Sequence, residues 1–488
     1  MTKRPRVLIA SNRLPVVFEA QDGACVARPA AGGLATGLRA VHDRGDSLWI
    51  GSCDQGERLR GDASWEAELR KHRILPVVLD AEMERRYYDG VCNGVLWPLL
   101  HYQTERIPHA GGDWSAYHAV NEQFADAIAG EYRQGDLIWV HDYHLLLLPR
   151  MLRRRLPDAP IGFFLHVPFP AADTFRILPW RREVLDGLLG ADVLGFHTES
   201  YATHFLDAVR TVTRRDERSV AARERGRVHV AVYPMGIDAA SFSSLAADPA
   251  VDRECDLLRG DRGCRLLLGV DRLDYTKGIP RRLLAYDRLL RDDPSLRGRV
   301  RLVQVAVPSR ERVPSYQRLK CEIEEIVGRI NGEHGTVDWT PIRYVHQSIS
   351  QNQLVALYRA ADVMLVTPLR DGMNLVAKEF VASRIDDDGV LVLSEFAGAA
   401  DQLTDAVAVN PYSIEEMTDA IRTALAMNAP ERRRRMAALR RVVMAEDIHG
   451  WAERCLGDLR QHGQRGARIS ALRGLARVFP SRAAAASL

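Results

Sequence analysis

Short apolar runs, each followed by polar residues, recur along this chain and predict buried β-strands. The runs have four or five residues and no alternation with polar ones, which is typical of strands covered on both faces of a parallel sheet. They are Val7–Ala10, Leu137–Val140, Ile161–Leu165, Leu266–Val270, Val363–Val366 and Val390–Leu393. Because ligands bind beyond the carboxyl ends of parallel strands, the polar residues after these runs are the first candidates for a functional site.

The extended segment Val232–Asp238 divides the chain, because Pro234 and Gly236 interrupt the apolar pattern there. Strand-like runs with polar ends occur on both sides of it, which predicts two doubly wound α/β domains. No internal repeat is visible, so we expect the two domains to be similar only in architecture. Near the end of the chain, Glu446–Gln461 has the apolar spacing of a helix, with Ile448, Trp451, Cys455 and Leu459 on one face.

Composition and charge narrow the class of protein. The 488 residues are 46% hydrophobic and 27% charged, which suits a globular protein of two domains with substantial cores. The net charge of +3 does not indicate a nucleic-acid partner, because the basic excess is local. It lies in Arg432–Arg435, Arg440, Arg441 and the tail after Gln464.

Cysteine use and the first residues predict a cytoplasmic location. The seven cysteines are scattered without a Cys-x-x-Cys pair, which predicts reduced thiols in a cytosolic enzyme. The basic start Met1–Arg6 precedes only four apolar residues, so we expect no signal peptide. No apolar run is long enough for a transmembrane helix, and no membrane partner is expected.

The run Thr367–Glu379 joins a predicted strand to a predicted helix and indicates a site for an anion and a sugar. Pro368 ends the strand, and Gly372 lets the backbone approach a ligand. Free backbone N–H groups at the start of the helix suit a phosphate or hydroxyls, and the helix is expected to begin with Asn374, Leu375 and Val376. Glu379 lies one turn further, where a carboxylate can accept from two vicinal hydroxyls of a ribose. An ordinary strand-to-helix corner is the competing interpretation.

A second run, Asp271–Gly278, follows the strand Leu266–Val270 and carries two cations five residues apart. Arg272 offers a planar fork and Lys277 a mobile point charge, a pair that suits a diphosphate. Charge pairing within a surface loop would also explain this run by itself. Two such runs at strand ends in one half of the chain favour a binding site.

The first half of the chain supplies a complementary set of residues. Ser11–Pro15 follows the first strand, and the small-residue loop Ala31–Gly37 can open a helix and admit a ligand to bare backbone. At the end of another strand His141 and His144 are expected to point to opposite faces, which argues against a metal site. Asp142 between them is suited to accept from sugar hydroxyls.

Two other features allow more than one interpretation. Aromatic residues stand beside turn residues in Tyr87–Gly90 and Asn93–Pro98, where they either pack in the core or form a wall that holds a phosphate. The run Asp386–Gly389 contains an Asp-x-Asp pattern that can bind metal, but its place between a helix and a strand favours a turn.

Taken in order, these runs resemble the trehalose-6-phosphate synthases of glycosyltransferase family 20. The matching motifs are long, and several are rare outside that family. They are Ser11–Arg13, Ala31–Leu34, Asn93–Pro98, His141–Leu145, His166–Pro170, Asp271–Gly278, Pro308–Arg310, Arg329–Gly332 and Thr367–Glu379.

The resemblance implies a GT-B fold, which is an α/β architecture of two facing Rossmann-like domains with the active site in the cleft between them. Residues 1–236 are expected to bind the acceptor, and residues 237–445 the nucleotide sugar. Residues 446–464 are expected to form a helix that returns to the first domain, and residues 465–488 a basic, mobile tail.

The resemblance also implies roles for individual residues. The donor is expected to contact Gly33, Arg272, Lys277, Asp371, Gly372, Asn374, Leu375, Val376 and Glu379. The acceptor phosphate is expected to be held by Arg13, Tyr88, Trp97 and Arg310. Asp142 and His166 are expected near the transferred glucose and the acceptor. The catalytic set is then Arg272, Lys277, Asp142 and His166, and no metal ligand and no cofactor are expected.

The implied reaction transfers glucose with retention from a nucleoside diphosphate glucose, UDP-glucose in the first place, to glucose 6-phosphate. The product, trehalose 6-phosphate, would pass to a separate phosphatase. The alternatives are a sibling enzyme that uses glycerol 3-phosphate, a catalytically silent regulatory member, and a phosphorylase with a pyridoxal-phosphate lysine. The donor base and the oligomeric state, a homo-oligomer included, stay open. The family usually has Trp where this chain has Ser52, so that side of the pocket is a point to test.

Overall fold

The computed structural model describes residues 5–21, 24–30, 33–53, 62–109, 112–213, 228–260 and 263–478. The described chain divides into two compact units. One contains the residues up to Tyr233 together with those from Ala452 onward, and the other runs from Pro234 to Trp451. The chain passes from the first unit to the second after Tyr233 and returns after Trp451, and the expected domain limits were residues 236 and 445.

The first unit is built on a parallel sheet. Its strands are β1 (Val7–Arg13), β2 (Val16–Gln21), β3 (Ala24–Pro29), β4 (Ser47–Cys53), β5 (Ile74–Val78), β6 (Leu137–His141), β7 (Ile161–Phe164), β8 (Val193–Phe196) and β9 (His229–Val232). Among the described residues seven of them form one sheet in the order β5-β4-β1-β6-β7-β8-β9. The strands β2 and β3 pair with each other in antiparallel orientation.

Helices connect these strands. They are α1 (Gly33–Arg44), α2 (Ala63–Lys71), α3 (Ala81–Glu84), α4 (Trp97–Leu100), α5 (Trp114–Glu131), α6 (Leu148–Arg155), α7 (Ala172–Phe175), α8 (Arg181–Leu188) and α9 (Glu199–Thr213). Short 3₁₀ turns occur at Thr104–Arg106 and Tyr143–Leu145.

Arg85–Leu96 forms a π-helix, where the sequence indicated aromatic residues beside turns. Its wide turns bury Tyr87, Val91, Cys92 and Val95. Burial of this apolar face outweighs the turn preference of the glycines in the segment, so tertiary packing decides its conformation.

The second unit repeats the architecture. Its strands are β10 (Arg265–Arg272), β11 (Val300–Val307), β12 (Ile342–Val345), β13 (Val363–Val366), β14 (Val390–Ser394) and β15 (Val407–Val409). Within the described part of the chain these form a six-stranded parallel sheet in the order β12-β11-β10-β13-β14-β15. Its core is apolar, with Leu268, Val305, Met364 and Phe380 among the buried side chains.

The remaining helices cover this sheet or lead back to the first unit. They are α10 (Ala239–Ala246), α11 (Pro249–Arg259), α12 (Ile279–Asp292), α13 (Pro314–His334), α14 (Gln351–Ala360), α15 (Leu375–Ser383), α16 (Ile414–Ala426), α17 (Ala429–Ala445) and α18 (Ile448–Val478). Tyr275–Lys277, Pro294–Leu296 and Gly398–Asp401 are 3₁₀ turns.

Helix α18 begins in the second unit and continues in the first. The backbone N–H of Ile448 donates to the carbonyl of Ile237 at 3.1 Å, and further along Asp458 accepts from the hydroxyl of Tyr233 at 2.6 Å. The helix extends to Val478, beyond the expected end at residue 464. Residues 479–488 of the expected tail lie outside the described residues.

Both sheets confirm the predicted doubly wound α/β class, and each has one point at which the strand order reverses. In the first sheet this point lies between β1 and β6, and in the second between β10 and β13. Ligands of doubly wound proteins bind at such points, beyond the carboxyl ends of the strands. Every helix among the described residues is too short or too polar to span a membrane.

Candidate active site

The two cations predicted to bind a diphosphate leave the carboxyl end of β10. Arg272 is the exposed last residue of that strand, and Lys277 ends the 3₁₀ turn that follows. Gly278 then has a φ of +67°, and a Cβ there would lie 2.5 Å from the carbonyl oxygen of Thr367. Only glycine permits this approach, so the loop after β10 contacts the loop after β13.

The two motifs found separately in the sequence meet at this contact. Lys277 Nζ lies 2.5 Å from Asp371 Oδ2, and the backbone N–H of Leu369 donates to the carbonyl of Thr276 at 2.7 Å. Asn374 Nδ2 also donates to Asp371 Oδ2, at 3.1 Å. Asp371 thus holds the ammonium group in place and joins it to the start of helix α15.

Helix α15 begins where the sequence predicted. Asn374 is its N-cap, with a φ of 72°, and its Oδ1 accepts from the N–H of Ala377 at 3.2 Å. The N–H groups of Leu375 and Val376 belong to the first turn, where a helix offers no acceptor of its own. Gly372 is buried in the preceding loop. This corner has the backbone geometry of an anion site.

Glu379 lies on the second turn of the same helix and is partly exposed. The buried hydroxyl of Tyr358 donates to its Oε2 at 2.9 Å, which fixes the carboxylate. Burial raises the pKa of Glu379 to about 6, against the lowering effect of the bond from Tyr358. Above that pH the free oxygen of the carboxylate can accept hydrogen bonds from a ligand.

Arg13 is the exposed end of β1, and its backbone is packed against the neighbouring strand. A Cβ on Gly51 would lie 2.8 Å from the Arg13 carbonyl carbon, so glycine is required there. The Arg13 guanidinium lies over the ring of Tyr88, with 4.9 Å from Cζ to the centroid. Tyr88 in turn stacks on His144 at a centroid distance of 5.7 Å.

Trp97 belongs to the same row of rings but is almost wholly buried, with 4% of its surface exposed. Its ring lies 4.0 Å from that of His101 and 5.6 Å from that of Tyr143, which stacks near His144 at 3.9 Å. The first unit therefore brings Arg13, Tyr88 and Trp97 into one cluster.

Asp142 has a φ of 75°, a strained conformation for a residue with a side chain, and is 8% exposed. Its Oδ1 accepts from the backbone N–H of His166 at 3.2 Å. His141 Nδ1 lies 3.0 Å from His166 Nε2, so one ring nitrogen donates to the other. His144 lies in a 3₁₀ turn rather than on the strand end, where the sequence placed it.

Burial keeps both imidazoles neutral. It lowers the pKa of His141 to about 3. It also lowers the pKa of His166 far below its usual range, with smaller effects from His141 and His197. His166 is therefore a neutral hydrogen-bonding group at neutral pH.

Arg310, predicted with the acceptor residues, lies in the second unit beside the loop after β10. Its Nη1 donates to Asp274 Oδ2 at 2.7 Å and lies 2.6 Å from the hydroxyl of Tyr316. Burial opposes the charge of Asp274, but Arg310, Lys277 and Arg272 outweigh it and lower the pKa of this carboxyl. Within the second unit Arg310 thus lies with Asp274, beside Lys277 and Arg272.

Backbone strain is concentrated at these positions. Six described residues other than glycine have a positive φ, and three of them are predicted site residues: Asp142, Arg310 and Asn374. Such strain is retained where the surrounding structure enforces it, often at functional sites. Gly33 begins α1, while Ala31 and Gly32 of its motif lie outside the described residues.

Three buried cations of the second unit, Arg282, Lys378 and Arg384, were missed by the sequence analysis. Arg282 is completely buried, and Lys378 is 1% exposed. Lys378 Nζ donates to the carbonyl of Met235 at 2.8 Å and to Gln402 Oε1 at 2.6 Å. The sequence does contain a sign that Arg282 is buried, because it interrupts the apolar face of the helix that begins at Ile279.

Carboxylates that could suggest a metal site are ion-paired with arginine. In the described residues one group could hold an ion, formed by Asp287, Glu333 and His334. Asp287 Oδ2 accepts there from Arg329 Nη1 at 3.0 Å. The run Asp386–Gly389 is a turn, as predicted, and Asp388 in it binds Arg432 at 2.6 Å.

The sequence matches the family model described as glycosyltransferase family 20 over residues 5–461. The chain belongs to glycosyltransferase family 20. It is 40% identical over 452 residues to the Dictyostelium discoideum protein named alpha,alpha-trehalose-phosphate synthase (UDP-forming) A. The match covers 91% of this chain but 61% of that relative, so the chain spans less than two thirds of the relative's length.

Two solved structures of this family are similar over nearly the whole chain. One is an alpha,alpha-trehalose-phosphate synthase (UDP-forming) from Burkholderia xenovorans in complex with glucose 6-phosphate, with a TM-score of 0.83, 33% identity, and coverage of 93% of this chain and 100% of that one. The other, from E. coli, is bound with UDP-2-fluoro glucose, with a TM-score of 0.83, 36% identity, and coverage of 93% and 99%. The chain is therefore a glycosyltransferase of GT-B type.

Proposed function

We propose that this enzyme transfers glucose from UDP-glucose to the anomeric hydroxyl of glucose 6-phosphate and forms α,α-trehalose 6-phosphate with retention. The observation that carries the proposal is the meeting of two motifs at the reversal point of the second sheet. There Lys277 and Asp371 are in contact beside Arg272 and the start of α15. The names of the relatives and the ligands of the two solved structures support the same substrates.

The donor is assigned to the second unit together with Gly33. Arg272 and Lys277 bind the diphosphate, since a fork and a point charge neutralise it together. Gly372, Asn374 and the N–H groups of Leu375 and Val376 form the donor-side corner of α15. Asp371 keeps Lys277 in place, and Glu379 accepts from the ribose hydroxyls.

The acceptor phosphate is assigned to Arg13, Tyr88, Trp97 and Arg310. Arg13 presents an exposed guanidinium over the Tyr88 ring. This group can donate a charge-assisted hydrogen bond to a phosphate oxygen. Trp97 supports the aromatic wall from the core. Arg310 is held by Asp274, so the position of its guanidinium is fixed before a ligand binds.

The chemical step in this proposal rests on the leaving group. The bond between the anomeric carbon of the donor and the phosphate oxygen breaks, while that carbon bonds to the acceptor hydroxyl oxygen on the same face. Arg272 and Lys277 stabilise the negative charge that grows on the diphosphate. The departing oxygen takes the proton of the acceptor hydroxyl, so no carboxylate nucleophile is needed.

Asp142 and His166 hold hydroxyls during this step. His166 is neutral, so it donates or accepts a hydrogen bond without adding positive charge near the sugar. The two cations neutralise the diphosphate without a divalent metal. Neither a pyridoxal group nor another cofactor takes part in this reaction. A separate phosphatase would then remove the phosphate from the product, trehalose 6-phosphate.

A sibling activity with glycerol 3-phosphate as acceptor is the second candidate, because of Ser52. This residue pairs with Arg13 between β1 and β4, and its hydroxyl donates to the carbonyl of Asn12 at 2.5 Å. A serine next to the arginine proposed for the acceptor phosphate fills less space than the tryptophan that the family usually has. That side of the pocket therefore has a different shape.

The decisive experiment is a matrix of donors and acceptors with purified protein, analysed by product mass. UDP-, ADP- and GDP-glucose are each combined with glucose 6-phosphate, glycerol 3-phosphate and free glucose. We expect trehalose 6-phosphate with release of UDP as the fastest reaction. Faster transfer to glycerol 3-phosphate would favour the sibling activity, and no transfer with any pair would favour a silent regulatory member.

A further inference from the structure

Arg282 on helix α12 is a completely buried arginine with four polar partners. Its Nη1 donates to Asp271 Oδ2 at 2.5 Å and to Gln304 Oε1 at 2.9 Å. A Cβ on Gly269 would lie 2.5 Å from the same nitrogen, so the glycine in β10 leaves the space that the guanidinium occupies. Arginine is rarely this deeply buried unless its donors are satisfied, and here the strand and the side chain are fitted to each other.

The other donors of Arg282 reach the two loops of the proposed diphosphate site. Nε donates to Thr367 Oγ1 at 3.0 Å, directly after β13, and Nη2 donates to the carbonyl of Lys277 at 3.4 Å. Asp271, its ion-pair partner, immediately precedes Arg272 on β10. One rigid group therefore holds the chain next to Arg272, at Lys277, and at the start of the loop that carries Asp371.

We propose that Arg282 is a positioning residue that sets the spacing of Arg272, Lys277 and Asp371, and so determines how tightly the enzyme binds a diphosphate. It touches no substrate in this proposal and acts through the loops. The proposal rests on the function assigned above, since it concerns the same donor site.

The planar shape of the guanidinium is the reason that arginine is needed. Its donors lie in one plane at fixed angles, so it can connect the ends of two strands and the carbonyl of Lys277 at once. A lysine would keep the charge near Asp271 but has a single nitrogen, and it cannot reproduce the bonds to Thr367 and to Lys277. Replacement by lysine therefore removes the geometry and keeps the charge.

A purely structural ion pair is the competing explanation, and ligand affinities separate the two. A variant that is only less stable still contains folded molecules with an unchanged site, so the ratio of its affinities for UDP and for uridine stays the same. Uridine has the base and the ribose of UDP but no phosphate. Displaced loops weaken only the contacts to phosphate. The ratio of the two dissociation constants is therefore the measurement that a structural role does not change.

The chain offers a matched control in the neighbouring residue. Arg281 is partly exposed, and its Nη1 donates to the carbonyl of Tyr412 at 3.0 Å. The full-length variants Arg282→Lys and Arg281→Lys are compared with the wild type by calorimetric titration with UDP and uridine, by melting temperature, and by kcat and KM for UDP-glucose.

We expect Arg282→Lys to lower the preference for UDP over uridine by about tenfold or more and to lower kcat by up to about 10²-fold, because a displacement near 1 Å can cost that much. Arg281→Lys should leave both quantities unchanged. A lower melting temperature with an unchanged affinity ratio and an unchanged kcat in Arg282→Lys would overturn the proposal.

Thr367→Val provides a second variant if Arg282→Lys does not fold. It has nearly the shape of the threonine and removes only the hydroxyl that accepts from Arg282 Nε, so we expect a change in the same direction and of smaller size. An unchanged ratio in this variant would contradict the proposal. If the wild type itself binds UDP no more tightly than uridine, the assigned donor site is wrong. A wild-type preference that survives in the variants refutes only the role of Arg282.

Discussion

The reversal points of the two sheets occupy the same place in the architecture but carry different chemistry. After β10 and β13 the side chains are ionic, with Lys277 bound to Asp371 at 2.5 Å and Arg310 bound to Asp274 at 2.7 Å. Beside Arg13 at the end of β1, and in the turn after β6, the rings of Tyr88, Tyr143 and Trp97 predominate. The imidazoles nearby are neutral because burial lowers the pKa of His141 and of His166.

This difference matches the proposed roles of the two sets of residues, of which one binds the diphosphate and the other holds sugar hydroxyls. A group that gains negative charge as it leaves is best stabilised by cations held in place before the reaction. A sugar hydroxyl needs directional donors and acceptors, and neutral rings provide them without attracting the diphosphate to the wrong unit. The fold supplies two equivalent positions, and the residues that surround each one decide its chemistry.

The largest effect is expected from removal of a diphosphate cation. Arg272→Ala and Lys277→Ala should each lower kcat by roughly 10² to 10³, because each removes charge that stabilises the leaving group. Steady-state kinetics with UDP-glucose and glucose 6-phosphate measure this, and circular dichroism checks the fold. Lys320→Ala is the control, since that partly exposed lysine pairs with Glu324 on α13. Turnover near the wild-type value in both cation variants would remove the leaving-group role.

The two acceptor arginines should behave differently from each other. Arg13→Ala should raise KM for glucose 6-phosphate and leave KM for UDP-glucose unchanged, with a loss of about 1.5 to 3 kcal/mol for a charge-assisted contact. Arg310→Ala should raise both, because Asp274 loses its partner beside Lys277 and Arg272.

Free glucose serves as the control for the acceptor arginines. It should be a poor acceptor for the wild type, and this handicap should shrink in both variants, since they lack a group that distinguishes the two sugars. If both variants keep the full preference for glucose 6-phosphate, the acceptor pocket lies elsewhere.

Acidification should weaken donor binding through Glu379. Because its pKa is raised to about 6, the carboxylate is protonated as the pH falls through that value and can no longer accept from two hydroxyls. KM for UDP-glucose should therefore rise between pH 7 and pH 5. In Glu379→Gln it should be higher at pH 7 and nearly independent of pH. An equally steep rise in this variant would assign the titration to another group.

The smallest effect is expected on stability in acid, from the neutral imidazoles. The pKa of His141 and of His166 is lowered in the folded state, while an unfolded histidine titrates near its usual value of about 6.5. Below that pH the unfolded chain binds protons that the folded chain excludes. The free energy of unfolding should then fall by at most about 1.4 kcal/mol per pH unit for each histidine.

Thermal unfolding at pH 7.5 and pH 5 tests this effect. His141→Asn should reduce the difference in melting temperature between the two conditions, whereas the exposed His109→Asn should not. An unchanged difference in His141→Asn would show that other groups cause the acid sensitivity.

Local patterns predicted the elements that depend on neighbours in the chain. The strand Val363–Val366 has the predicted limits, because an apolar run followed by proline is a local signal. The start of α15 after Asn374 was likewise predicted, since a capping side chain acts within one turn. The strands β1 and β10 were predicted too short, because Arg13 and Arg272 pair with the neighbouring strands although they are polar.

The sequence by itself determined the fold class and the family, while the domain limits and the site residues that it indicated stay predictions. These follow from short-range patterns of burial, turn and charge. Only the tertiary structure decided that Lys277 reaches Asp371, that Arg310 pairs with Asp274, and that Arg282 connects the loops. Such contacts join residues far apart in the chain, and a side chain's type does not say which of the available partners the packing of the sheet brings within hydrogen-bonding distance.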